Sequence, residues 1–231
     1  MESLVYTRGY AKTLSEYIEQ TVWLEIEKYP QITEHYKQMI DVRFLNDIDV
    51  LWEMRFERHK GHFTRKYVQE SFSPSTQYLV QHSFGVAVFY KEDGENGIYH
   101  IDRMYLYANM PHILINMFSR ISTLDTQTED HIKHMIKISL RHEVGHILDY
   151  INEVDNKHVD HVNNLTKIDM ESRNELYPIM DDLSDEEFFN RYYSQIPGER
   201  RANELVGLTP QDMIDSWENK KGVVLNEKYN I

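Results

Sequence analysis

The decapeptide RHEVGHILDY, residues 141–150, sets two histidines four positions apart with a glutamate directly after the first. On an α-helix, residues four apart lie about 40° apart around the axis, so His142 and His146 project side by side. Two imidazole nitrogens so placed can reach one metal ion. Glu143 is turned about 100° from His142, so its carboxylate flanks such a site without having to bind the metal. That is where a general base for an activated water belongs. A catalytic zinc takes three protein ligands and keeps one position open, so a third ligand is required. The extended motif with glycine at position 149 and histidine at position 152 is excluded, because the chain has Asp149 and Asn152 there.

Candidates for the third ligand are His158 and His161 in KHVDH, Glu171 and Glu175 in MESRNELYP, and Glu199 in PGERRANELVGL. Glu199 is favoured. It stands in the first turn of an expected helix and shares a face with Ala202, Asn203 and Val206. Small Ala202 would let that helix approach the His142 helix closely. The competing reading of Glu199 is an ordinary carboxylate at a helix N-terminus. Asp149 is a candidate acceptor for a ligand histidine. Tyr150, Tyr192 and Tyr193 are candidate oxyanion donors, with core packing as the plainer role for each. His131 and His134 read as surface residues.

These residues need elements to hold them. Thr126 with Glu129 forms a capping box, and the chain from Glu129 to about Asn152 has no proline and a single glycine, Gly145. The spacing predicts a helix of roughly 35 Å at 1.5 Å per residue. Its apolar stripe, Ile132, Ile136, Leu140, Val144, Ile147 and Ile151, lies away from the histidines. Gly145, a weak helix former, implies a close neighbour against the backbone. Before this helix, 77–91 and 98–107 are β-branched and aromatic, with DGENG between them, and read as a hairpin or two neighbouring strands. Residues 10–60 read as helical, with a break at Tyr29-Pro30 and a second helix over 32–59. A short helix is expected over 111–119. Ser184 and Glu187 cap another helix, Pro197-Gly198 ends it, a further helix starts at Glu199, and Thr209-Pro210 opens a last one. Residues 153–183 are polar and acidic and yield no clear pattern.

Composition narrows the function. The chain has 231 residues, 16 tyrosines and 9 phenylalanines, enough for a substantial core, and only 9 glycines and 6 prolines, too few for low complexity. A net charge of −13 argues against a broad nucleic-acid surface and against anionic membranes. A local basic cluster at Arg55, Arg58, Lys60, Arg65 and Lys66 reads as a solvated face. No cysteine is present, which excludes disulfides, thiolate ligands and cysteine nucleophiles. The opening MESLVYTRGYAK lacks a basic start followed by an apolar run, so no signal peptide is expected, and no run is apolar enough to span a membrane. A cytoplasmic protein is expected.

HEVGH followed by ERRANELVGL resembles the zincin metallopeptidases of the ImmA/IrrE type and related phage-encoded zinc peptidases. The resemblance covers those two helices only. It implies that His142, His146 and Glu199 bind Zn2+ and that Glu143 is catalytic. It implies an α+β fold, mostly helical, with a small twisted β-sheet packed on the active-site helix. Residues 98–107 are then the candidate for the edge strand that pairs with an extended substrate, with an ordinary core strand as the other reading. Residues 1–75 are expected to form an N-terminal helical region and 76–231 the metallopeptidase domain, packed as one unit. The polar stretch 153–190 would be an insertion, acting as a lid or an inhibitory segment.

The expected activity is hydrolysis of a specific protein substrate, in a cytoplasm or from a phage. The rival is a zincin-fold protein whose metal is structural, serving as a binding or virion component. A third reading is a metal-free helical interaction protein. The intact Glu143 favours the first, since a structural site has no need of a base.

Overall fold

The computed structural model describes residues 16–45, 85–93, 95–109 and 126–216. The expected helix over 111–119, the basic cluster and the first part of 77–91 lie outside them.

Residues 16–26 form α1, with Ile18, Val22 and Ile26 buried at helical spacing. A turn through Tyr29-Pro30 leads to the one-turn helix α2, Glu34–Lys37. The chain then becomes strand β1, Ile40–Leu45, where a continuing helix was expected. The local pattern explains the difference. In IDVRFL the apolar Ile40, Val42 and Phe44 alternate with Asp41 and Arg43, a period of two.

Strands β2, Gly85–Asp93, and β3, Ile98–Asn109, pair antiparallel across a turn in which Asn96 and Gly97 take positive φ. β1 joins β3 in parallel, with Ile40 beside Met104 and Phe44 beside Ala108. The strand order is therefore β1-β3-β2, and the two-residue β4, Lys157–His158, pairs with the start of β3. β3 is thus the central strand. Of the two readings of residues 98–107, edge strand or ordinary core strand, the core strand holds. Their side chains fit a centre better than a rim: Met104, Tyr105, Leu106 and Tyr107 are all buried.

Helix α3, Thr126–Glu153, is 28 residues long, about 42 Å, and packs on β2 and β3. Ile136, Leu140, Val144 and Ile147 of the expected stripe are buried in one core with Ile18, Val22, Ile40, Met104 and Leu106. Helix α4, Val159–Leu176, and a 3₁₀ turn, Tyr177–Asp182, occupy the stretch that had no clear pattern. Helix α5, Asp185–Gln195, opens on the full Ser184–Glu187 capping box. Helix α6, Pro197–Val206, begins with proline in its first turn, where the missing N–H costs nothing. Residues 210–216 form α7. A second apolar cluster, Leu176, Phe188, Phe189, Tyr192, Ile196 and Ile214, joins α4, α5 and α7. The result is a mostly helical α+β fold with a small mixed sheet. Among the described residues, no helix is long and apolar enough to cross a membrane.

Candidate metal centre

Helices α3 and α6 meet at Gly145. A Cβ built there would lie 2.2 Å from the backbone oxygen of Ala202 and 2.8 Å from its carbonyl carbon. Only glycine permits this approach. On the facing side, Ala202 is fully buried and adds one methyl group. The expected close neighbour of Gly145 is therefore the α6 backbone. Two further contacts hold the pair of helices. Arg201 binds Asp149 through two bonds, 2.7 and 3.1 Å. Arg141 donates to the carbonyl of Val206 at the C-terminal end of α6 and lies 3.3 Å from Glu25 of α1.

This contact brings one turn of α6 over the histidine pair. His142 Nε2 and His146 Nε2 are 3.1 Å apart, and Glu199 Oε2 lies 3.1 Å from the first and 3.2 Å from the second. Three donor atoms of the right kind thus converge on one point, and the group can hold a metal ion. Their spacing fits. A tetrahedral ion with bonds of about 2.05 Å to nitrogen and oxygen would separate its ligand atoms by about 3.3 Å. The hydrogen bonding fits as well. His142 Nδ1 donates to Asn203 Oδ1 at 2.8 Å, which leaves the Nε2 lone pair facing Glu199 and His146. A cation between them removes the resulting repulsion.

The cluster is shielded from solvent. His142 is 4% and Glu199 5% exposed. Burial works against the Glu199 carboxylate, but His146 and Arg173 beside it hold it well below the usual carboxylate range. Burial also works against charge on His146, yet Glu199 outweighs it and pushes that histidine up to about 9. Both directions describe a site that attracts positive charge.

Glu143 is buried beside the cluster, and its Oε2 accepts from the Ala87 N–H of β2 at 2.7 Å. The Ala87 carbonyl in turn accepts from the Tyr150 hydroxyl at 2.9 Å. Both polar groups of Ala87 therefore point away from β3 and toward α3. β2, rather than β3, is the strand that borders the site. Burial raises the Glu143 carboxyl above its ordinary value, and the two histidines only partly offset this. A carboxylate so tuned is suited to accept and return a proton.

The other third-ligand candidates lie elsewhere. His158 is exposed and caps α4 by accepting from the Asp160 N–H. His161 is exposed and pairs with Glu153 at 2.9 Å. Glu171 and Glu175 are exposed on α4. Asp149 binds Arg201 through both its oxygens and, among the described residues, makes no hydrogen bond to His142 or His146. Asn203, one turn beyond Glu199, supports the ligand histidine instead. Of the three tyrosines, Tyr192 donates to Glu199 Oε1 at 2.8 Å and Tyr150 to Ala87. Tyr193 sets its ring edge-on to His142, with centroids 5.3 Å apart. His134 is exposed, as expected, while the side chain of His131 lies outside the described set.

Arg173 was missed in the sequence. It comes from α4 and donates to Glu199 Oε1 at 2.6 Å. Asp169, one turn earlier, accepts from the Gly198 N–H at 3.1 Å and so caps α6. Helix α4 therefore supports α6 from behind the ligand. Nothing in MESRNELYP sets Arg173 apart from a surface arginine, so local pattern had no means of finding it. No protein-family model, curated protein or solved structure matches the chain.

Proposed function

We propose that the protein is a zinc-dependent metallopeptidase of the zincin type, acting on a protein or peptide substrate. One observation carries this reading. His142 Nε2, His146 Nε2 and Glu199 Oε2 converge within 3.2 Å of one another, with the buried Glu143 carboxylate alongside. A ligand trio alone would serve a structural ion. The added buried carboxylate, whose one hydrogen bond among the described residues comes from a backbone N–H, supports catalysis.

His142, His146 and Glu199 would hold the ion, and zinc bound there would supply Lewis acidity and an activated water at neutral pH. Glu143 takes the proton of the attacking water and delivers it to the leaving amine. Asn203 keeps the His142 ring in the tautomer that presents Nε2. β2 borders the site and is the strand along which an extended peptide would lie. An acidic chain without cysteine suits action in a cytoplasm or as a phage product.

The test joins elemental analysis with a peptide-hydrolysis assay, on wild type, Glu199→Ala and Glu143→Gln. The reading expects about one zinc per chain, loss of zinc in Glu199→Ala, and zinc without hydrolysis in Glu143→Gln. Zinc bound by a wild type that cleaves no peptide in a broad library would favour a non-catalytic zincin-like component. No zinc in wild type after zinc is supplied would end the metal reading.

A further inference from the structure

The two oxygens of Glu199 have different partners. Oε2 faces the histidines, 3.1 Å from His142 and 3.2 Å from His146. Oε1 accepts two donors from the other side, Arg173 Nη2 at 2.6 Å and the Tyr192 hydroxyl at 2.8 Å. Arg173 is itself anchored, since its Nη1 donates to the Tyr192 hydroxyl at 2.9 Å and to the Tyr177 hydroxyl at 3.1 Å. Both lone-pair directions of Oε1 are thereby used.

Tight holding of a metal does not explain this arrangement. A guanidinium against a ligand carboxylate repels a dication on its far side and draws charge away from the ligand. Hydrogen bonding alone does not require it either, because the Tyr192 hydroxyl already satisfies Oε1. Beyond helping to keep the buried carboxylate ionised, Arg173 has a consequence that is electronic and geometric together. It leaves one carboxylate oxygen for the ion and weakens the charge that oxygen offers.

We infer that Arg173, with Tyr192, is a positioning residue that makes Glu199 a one-oxygen ligand, so that a bound ion keeps an open coordination position. The inference rests on the metal-centre reading above. Without the pair, Oε1 would be free to turn onto the ion as well, closing the position that catalysis needs.

The test uses the full chain loaded with Co2+ in place of zinc, whose visible absorption weakens as the coordination number rises. Wild type, Arg173→Met, Arg173→Lys and Tyr192→Phe are compared, together with zinc affinity from chelator competition. The expected result is weaker absorption in Arg173→Met and, to a lesser degree, in Tyr192→Phe. Arg173→Lys, which keeps a cationic donor, returns the spectrum toward wild type. Zinc affinity in Arg173→Met is expected to equal or exceed that of wild type, since a repelling cation has gone. A fall in affinity of tenfold or more with an unchanged spectrum would make Arg173 a mere prop and overturn the inference. If Arg173→Met does not fold, Tyr192→Phe, which removes one hydroxyl, decides: an unchanged spectrum overturns the inference. A wild type that binds neither ion overturns the metal reading itself, whereas metal binding with invariant spectra sinks this inference alone.

Discussion

Replacing Gly145 with alanine tests the contact on which the metal centre depends. The added Cβ would sit 2.2 Å from the Ala202 carbonyl oxygen. Ordinary contact requires a separation larger by about 1 Å. The atoms in the way are backbone, so no rotamer change relieves them. α6 must move, and Glu199 rides on it one turn before Ala202. A shift of about 1 Å would open the spacings of 3.1 and 3.2 Å between Glu199 and the histidines to about 4 Å, beyond the 3.3 Å or so that a tetrahedral zinc spans. Overpacking costs about 1–3 kcal/mol, and alanine returns about 1 kcal/mol of helix propensity. The net loss of stability is then about 0–2 kcal/mol, while zinc affinity should fall by about 10- to 100-fold, as when a ligand's support is lost. Chelator competition measures the affinity, and urea denaturation in EDTA measures the stability without metal. The double variant Gly145→Ala/Ala202→Gly should recover no zinc affinity, because the Ala202 side chain is not the obstacle. Wild-type zinc affinity in Gly145→Ala would refute the claim that this contact sets the ligand spacing.

Asn203→Ala should weaken zinc binding by about 10- to 100-fold through loss of the 2.8 Å bond to His142 Nδ1, and Asn203→Asp should restore most of it; the same competition assay reads both. Tyr36 donates to Asp155 Oδ2 at 2.7 Å, and burial, then the bond to Asp155 and its charge, push its hydroxyl up from 10.0 to about 12. A raised folded value means this contribution to stability is complete below about pH 10 and is lost as pH rises toward 12. Tyr36→Phe should remove that part of the alkaline loss, seen as a shallower fall of the denaturation midpoint than in wild type over this range.

Several features of the site were readable before any folding. His142, Glu143 and His146 owe their relation to helical period alone, which neighbours within four residues dictate. Gly145 and Ala202 signalled a close approach because small residues at those positions have no better explanation. The capping box at Ser184 and the hairpin through Asn96-Gly97 are likewise local chemistry, complete within a few residues. β1 escaped because six alternating residues are too few to outweigh the helical spacing around them; pairing with β3, some sixty residues away, decides that segment. The same cause hid the edge strand. An apolar strand can be central or marginal, and only the arrival of β1 on one side of β3 makes β2 the border of the site. Asp149 was the support expected for a ligand histidine, but Arg201 engages it, and Asn203 from the facing helix binds His142 instead. Arg173 is the plainest case. Its meaning arises only when α4 packs behind α6 and a surface-type side chain meets a buried carboxylate. What local spacing determines is the set of groups able to do chemistry. Which of them meet, and which oxygen of Glu199 faces the histidines, depends on contacts between distant segments, and only the tertiary structure holds those.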